Sequence, residues 1–184
     1  FRRVLFRSLR VDDADCPADW LAGLGRADGE VDVAVSIRRT RRAPATLIPR
    51  RLALGVGCER GLPAGELARL VEDTLAAHDL DPQAIGAVVS LDLKAGEPAV
   101  RALANGLDVP ARFFDAATLE RETPRLATPS EAVFREVGCF GVAEGAALAA
   151  VGPAGRLLVA KVKGERATVA VAEAPAPLVP ERIG

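Results

Sequence analysis

The sequence predicts an α/β fold, three layers (α/β/α) around a mixed, mostly parallel sheet. Three observations predict it. From about residue 50 onward, short apolar runs alternate with stretches of helical periodicity. The run "IGAVVSLDL" (85–93) is apolar almost throughout, the mark of a strand buried on both faces. Near the end, two alternating runs, "RLLVAKVKG" and "ATVAVAEA", read as a hairpin turning at Lys163-Gly164, which adds an antiparallel portion.

Taken in order, residues 1–8, "FRRVLFRS", resemble a translated sequencing adapter and are set aside as a probable artefact. They lack the apolar stretch of a signal peptide. Residues 9–29 are acidic and turn-rich, and "EVDVAVSI" (30–37) has the β-branched content of a strand. "RRTRRAPATLIPR" carries two prolines and many charges and reads as a linker. Residues 9–49 are therefore expected to be the remnant of a preceding domain plus linker, and 50–174 the main domain. In that domain "RLALGVG" is a short strand, and 64–79 form a helix with Leu67, Leu70, Val71 and Leu75 on one face. "PAVRALANGL" is a helix opened by Pro98 and closed near Gly106. "ARFFD" is a short strand, and "TPSE" (128–131) reads as a capping box with proline at the first helical position. "GVAEGAALAAVG" is a helix of small residues, and the Pro-rich 175–184 form a tail or linker.

Composition narrows the function. The 184 residues are 49% hydrophobic and 27% charged with a net charge of -1, ordinary for a globular protein. No apolar run reaches the ~18 residues of a membrane span. Cys16, Cys58 and Cys139 lie far apart and His78 is the single histidine, so neither a disulfide framework nor a protein-held metal is expected. A reducing cytoplasm fits that usage. Of 24 basic residues only Lys94, Lys161 and Lys163 are lysines. The run "IRRTRR" lacks the stacking aromatics that accompany nucleic-acid binding, so no nucleic-acid partner is expected.

The chemistry concentrates in three segments. "GVGCERG" (55–61) places Gly57, Cys58, Arg60 and Gly61 between a strand and a helix, where free N–H groups and the helix dipole favour an anion. Its glycines are one residue too widely spaced for a dinucleotide loop. The alternative is a purely structural turn. Cys58 near a helix start has the position of a nucleophile but lacks a histidine partner, His78 falling at the far end of the same helix. "LDLKAGEP" (91–98) places Asp92, Lys94 and Glu97 at the carboxyl end of a buried strand, the edge where open α/β sheets bind ligands. A lysine in so arginine-rich a chain suggests a point-charge role, and a surface salt bridge is the competing explanation. Glu144, in "CFGVAEGAAL", is surrounded by small apolar residues. It is either an acid–base group raised by desolvation or a carboxylate bound to backbone as a clamp.

The segments "GVGCERG", "SLDLKAGEP", "VAEGAAL" and "LLVAKVKGERATVAVA", in that order, resemble the C-terminal domain of the cobalamin-biosynthesis CbiG family and its stand-alone relative CobE. The resemblance spans 51–173. It implies the C-terminal part of a cobalt-precorrin-5A hydrolase, which opens the δ-lactone of a corrinoid and releases acetaldehyde, with cobalt carried by the substrate and no other cofactor. A CobE-like corrinoid-binding module and a segment of a fusion with a precorrin methyltransferase are the alternatives, and other cobalamin-biosynthesis enzymes are candidate partners. Under this resemblance Gly57, Cys58, Arg60, Gly61, Asp92 and Lys94 are expected to bind the substrate's carboxylate arms, with Glu97 and Glu144 as catalytic candidates. Leu62 stands where the family often has a capping Ser or Thr.

Overall fold

The computed structural model describes residues 11–12, 33–39 and 45–178. The segment set aside as an artefact, Cys16 and the end of the tail lie outside the described residues. The strands are β1 (Val11–Asp12), β2 (Val33–Val35), β3 (Ala45–Leu47), β4 (Leu52–Cys58), β5 (Ile85–Leu91), β6 (Ala111–Phe114), β7 (Arg156–Lys163) and β8 (Ala167–Glu173). The α-helices are α1 (Ala64–Ala77), α2 (Pro98–Gly106), α3 (Ala116–Glu120), α4 (Glu131–Val137) and α5 (Val142–Val151).

The central sheet has the order β6-β5-β4-β8-β7. The pairs β4–β5 and β5–β6 are parallel, whereas β8 runs antiparallel to both β4 and β7. Strand alternation divides the core in two. Leu52, Leu54 and Val56 of β4 join Val169 and Val171 of β8 and pack on Leu67, Val71 and Leu75 of α1 and Val100 and Leu103 of α2. Ala53, Ala87, Val89 and Ala172 face the other way, onto Ala146, Ala147, Leu148 and Val151 of α5. The residues on this second face are small because α5 lies almost against the strand backbone. A Cβ on Gly55 would collide with the Ala143 carbonyl.

That packing corrects one sequence expectation. The strand read as "RLALGVG" is β4 and runs on to Cys58, so Gly55, Gly57 and Cys58 lie in the strand and not between strand and helix. The turn proper is 59–63, in which Gly61 adopts φ +71°. Two further expectations change. The stretch read as linker contributes β3, which pairs in parallel with β2. Arg38 bridges to Leu80, and the Ile37 carbonyl accepts from the Asp81 N–H. Val35 and Ile37 are each 2% exposed, so this segment is part of the core beside α1. At the other site, Ser130 rather than Thr128 caps α4, and Pro129 precedes the cap. The Thr128 hydroxyl is drawn to Glu144 instead.

Candidate functional site

A cleft of about 410 Å³ opens at the carboxyl ends of the parallel strands. Five chain segments meet there, α4 with Val133 and Val137 among them. β4 delivers Gly57 and Cys58, the turn after β5 delivers Lys94, and the first turn of α5 delivers Val142 and Ala143. The antiparallel pairing of Cys58 with Ala167 brings the β7–β8 hairpin to the same edge, with Lys161, Lys163 and Thr168. Thus all three lysines of the chain line one cleft. A larger depression of about 610 Å³ lies between α1 and α2, but its lining holds a single cation, Arg39, against Glu72 and Asp73, and no strand end reaches it.

The lysines differ in how they are held. The Lys161 ammonium donates to the Thr128 carbonyl at 2.9 Å, and its backbone N–H donates to Glu144 at 2.8 Å. Among the described residues, the Lys94 and Lys163 ammonium groups have no hydrogen-bond or ion-pair partner. At the rim Arg166 is neutralised by Glu59 at 2.9 Å, while Glu136 and Glu165 are exposed to solvent. The α5 N-terminus adds unsatisfied backbone donors: its cap, Gly141, supplies no side chain, and the dipole's positive end faces the lysines.

Glu144 is 1% exposed and accepts four hydrogen bonds: from Ala127 N at 2.8 Å, Thr128 N at 3.0 Å, the Thr128 hydroxyl at 2.7 Å and Lys161 N at 2.8 Å. Burial alone would raise its pKa, but these donors outweigh that and hold it below the ordinary glutamate range. The carboxylate is an ionised clamp joining α5, β7 and the loop before α4. Glu97, 7% exposed, accepts from Gly61 N at 3.0 Å and so ties the turn after β4 to the turn after β5. The Cys58 thiol is pushed up chiefly by burial, with Lys94 drawing it down and Glu97 raising it further. Most of it is therefore the poorly nucleophilic thiol at neutral pH.

The structure brings together Gly57, Cys58 and Lys94 of the residues singled out in the sequence. Gly61 and Glu97 form a bonded pair behind the cleft wall, and Glu144 lies beneath it through Lys161. Arg60 and Asp92 are exposed and do not line the cleft. Leu62, where a capping hydroxyl was missed, is buried in the core, and Pro63 takes the cap position of α1. Lys161 and Lys163 went unnoticed as site residues, although the scarcity of lysine singled them out as much as Lys94. Among the described residues no group of three His, Cys, Asp or Glu side chains stands close enough to hold a metal ion. No described helix is long and apolar enough to cross a membrane.

The cleft thus gathers the three lysines beside the α5 N-terminus at the carboxyl edge of a mixed sheet. The chain belongs to the family described as cobalamin synthesis G C-terminus, whose model matches residues 52–172. Protein CobE of Sinorhizobium sp is 51% identical over 121 residues, covering 66% of this chain and 79% of that protein. The cobalt-precorrin-5A hydrolase of Priestia megaterium is 32% identical over 127 residues, 69% of this chain but 33% of the hydrolase. The matching part thus spans about a third of that enzyme. The crystal structure of CobE, a protein from the cobalamin (vitamin B12) biosynthetic pathway, matches with a TM-score of 0.64 and 42% identity, covering 68% of this chain and 92% of that one.

Proposed function

We propose that this domain binds a corrinoid intermediate of cobalamin biosynthesis, holding the ligand's acetate and propionate arms on Lys94, Lys161 and Lys163. The observation that carries this reading is the convergence of all three lysines of an arginine-rich chain on one cleft. Lysine suits carboxylates presented at varied angles, because its ammonium is a point charge on a flexible stem. The similarity to CobE, a protein from the cobalamin biosynthetic pathway, supports a ligand from that pathway.

A second reading places the same domain at the C-terminal end of a cobalt-precorrin-5A hydrolase, where it would present the lactone-bearing substrate for ring opening and acetaldehyde release. The hydrolase relative supports it. Glu97 and Glu144 then act by fixing the cleft walls, since each carboxylate is already engaged by backbone donors.

Titration with dicyanocobyrinic acid, followed by visible absorbance, tests the binding. Lys94→Ala is expected to weaken it by the ~1.5–3 kcal/mol of a charged hydrogen bond, roughly ten- to hundredfold. A surface salt-bridge residue would contribute only about 0–1 kcal/mol. The wild type should lose more affinity with added salt than the variant does. A lowered melting temperature with unchanged binding would make Lys94 structural and move the site elsewhere.

A further inference from the structure

We infer that α4 is a closing lid whose Val133 and Val137 form the apolar half of the ligand site; this deepens the corrinoid reading and rests on it. The α4 helix is unlike the other helices described. None of its seven residues is buried, whereas α1, α2, α3 and α5 each bury at least one. It makes no substantial packing contact with any other strand or helix. Few contacts hold it: the Ser130 N–H donates to the Phe140 carbonyl at 2.8 Å, Phe134, midway along the helix, stacks on Phe140 at 4.6 Å, and Val137 touches the edge of the second core cluster. The cap bond to the Ser130 hydroxyl is a long 3.5 Å. Its C-terminal boundary is Gly138 in the left-handed region, φ +77°, a joint with little steric resistance. A segment with few buried contacts opens at low free energy.

This weakly seated helix lies on the cleft. Val133, Glu136 and Val137 line it, and the two valines with Val142 give it apolar surface beside the lysines. Such a cleft suits a ligand with a flat apolar ring and charged arms, the ring on the valines and the arms on the ammonium groups. Enclosing the whole of such a ligand calls for movement. About 410 Å³ lies toward the low end of the ~300–1,000 Å³ that serves drug-sized ligands, and a tetrapyrrole with its arms is larger than most of those. The walls formed by β4, β7 and α5 are fixed by the sheet and the Glu144 clamp, which leaves α4 as the wall that gives way. It swings out to admit the ring and returns with the valines against it.

Hydrogen–deuterium exchange on the intact chain, with and without dicyanocobyrinic acid, tests this. In the free protein the α4 amides should exchange faster than those of α1 and α5, and bound ligand should slow them at least about tenfold, the effect of closing a locally open segment. Val133→Ser combined with Val137→Ser should weaken binding by about tenfold through lost apolar contact. Its melting temperature should fall only slightly, because both valines are half-buried and only Val137 touches the core. Binding that depends on Lys94 but leaves α4 exchange and the valine variant's affinity unaltered overturns the lid alone. Absence of binding, or binding indifferent to Lys94, overturns the corrinoid reading and the lid with it.

Discussion

Replacing Glu144 by glutamine separates a clamp from a proton carrier. The substitution keeps the shape and removes the charge. One carboxylate oxygen accepts from Ala127 N and Thr128 N, the other from the Thr128 hydroxyl and Lys161 N. Glutamine can satisfy one pair with its carbonyl oxygen. Its amide then points two hydrogens at groups that are themselves donors, although the Thr128 hydroxyl can rotate to accept. Hydrogen bonds to a charged group contribute ~1.5–3 kcal/mol each. Losing one outright and weakening the others predicts a destabilisation of about 3–4 kcal/mol. Domains of this size have roughly 5–15 kcal/mol to lose, so urea unfolding should show a large shift in midpoint at constant slope. The wild type should also show the pH signature. Glu144 has a folded pKa below its unfolded value, so its stabilisation is complete above the ordinary glutamate range and is lost as pH falls through the folded pKa. Glu144→Gln should flatten that acid limb. A variant as stable as wild type, with the acid limb intact but lactone opening lost in a full-length hydrolase, would refute the clamp and make Glu144 the acid–base group.

Cys58→Ala should retain corrinoid binding, because burial holds the sulfur as the thiol; capture of the ligand as a covalent adduct on Cys58, seen by mass spectrometry, would overturn this. Gly55→Ala should destabilise strongly, by about 3 kcal/mol or more, since its new methyl meets the Ala143 carbonyl and α5 must back away from the sheet. Thermal melting of the variant checks it, and an unchanged midpoint would show that α5 can shift freely.

The parts of the fold legible in the sequence are those specified locally. Leu67, Val71 and Leu75 recur at helical spacing and are buried by α1 together with Thr74, while Leu70 of the same face is half-buried. The run from 85 is buried at every position of β5. What was misread depends on partners distant in the chain. Gly55 opens a glycine-rich segment that also suits an anion loop, and only the close approach of α5, nearly 90 residues later, explains a glycine there in the strand. Ala45–Leu47 become a strand because β2 offers an edge, against the suggestion of the flanking prolines and arginines. Thr128 has the spacing of a cap, yet Glu144 competes for its hydroxyl and wins with a charge. The site followed the same division. Lys94 could be placed from its strand end, whereas Lys161 and Lys163 reach the cleft only because β8 reverses direction between β4 and β7.

The end of the sheet opposite the cleft has an architectural consequence. The first residue of β4, Leu52, pairs with the last of β8, Glu173. Beside them the Arg51 guanidinium donates to the Ala174 carbonyl at 2.8 Å, the Ala174 N–H returns a bond to the Arg51 carbonyl, and the Leu178 N–H donates to the Arg50 carbonyl. Glu173 binds Arg156 at 2.8 Å and lies within 3.8 Å of Arg51. The stretch from β4 to β8 therefore begins and ends at one doorway, about 20 Å along the strands from the cleft, seven residues at ~3.3 Å each. Whatever is spliced to either end pulls on this doorway and not on the cleft. A unit wired this way can be transplanted between polypeptides of different length with its chemistry intact, which accords with a match that makes up 79% of one relative and 33% of another.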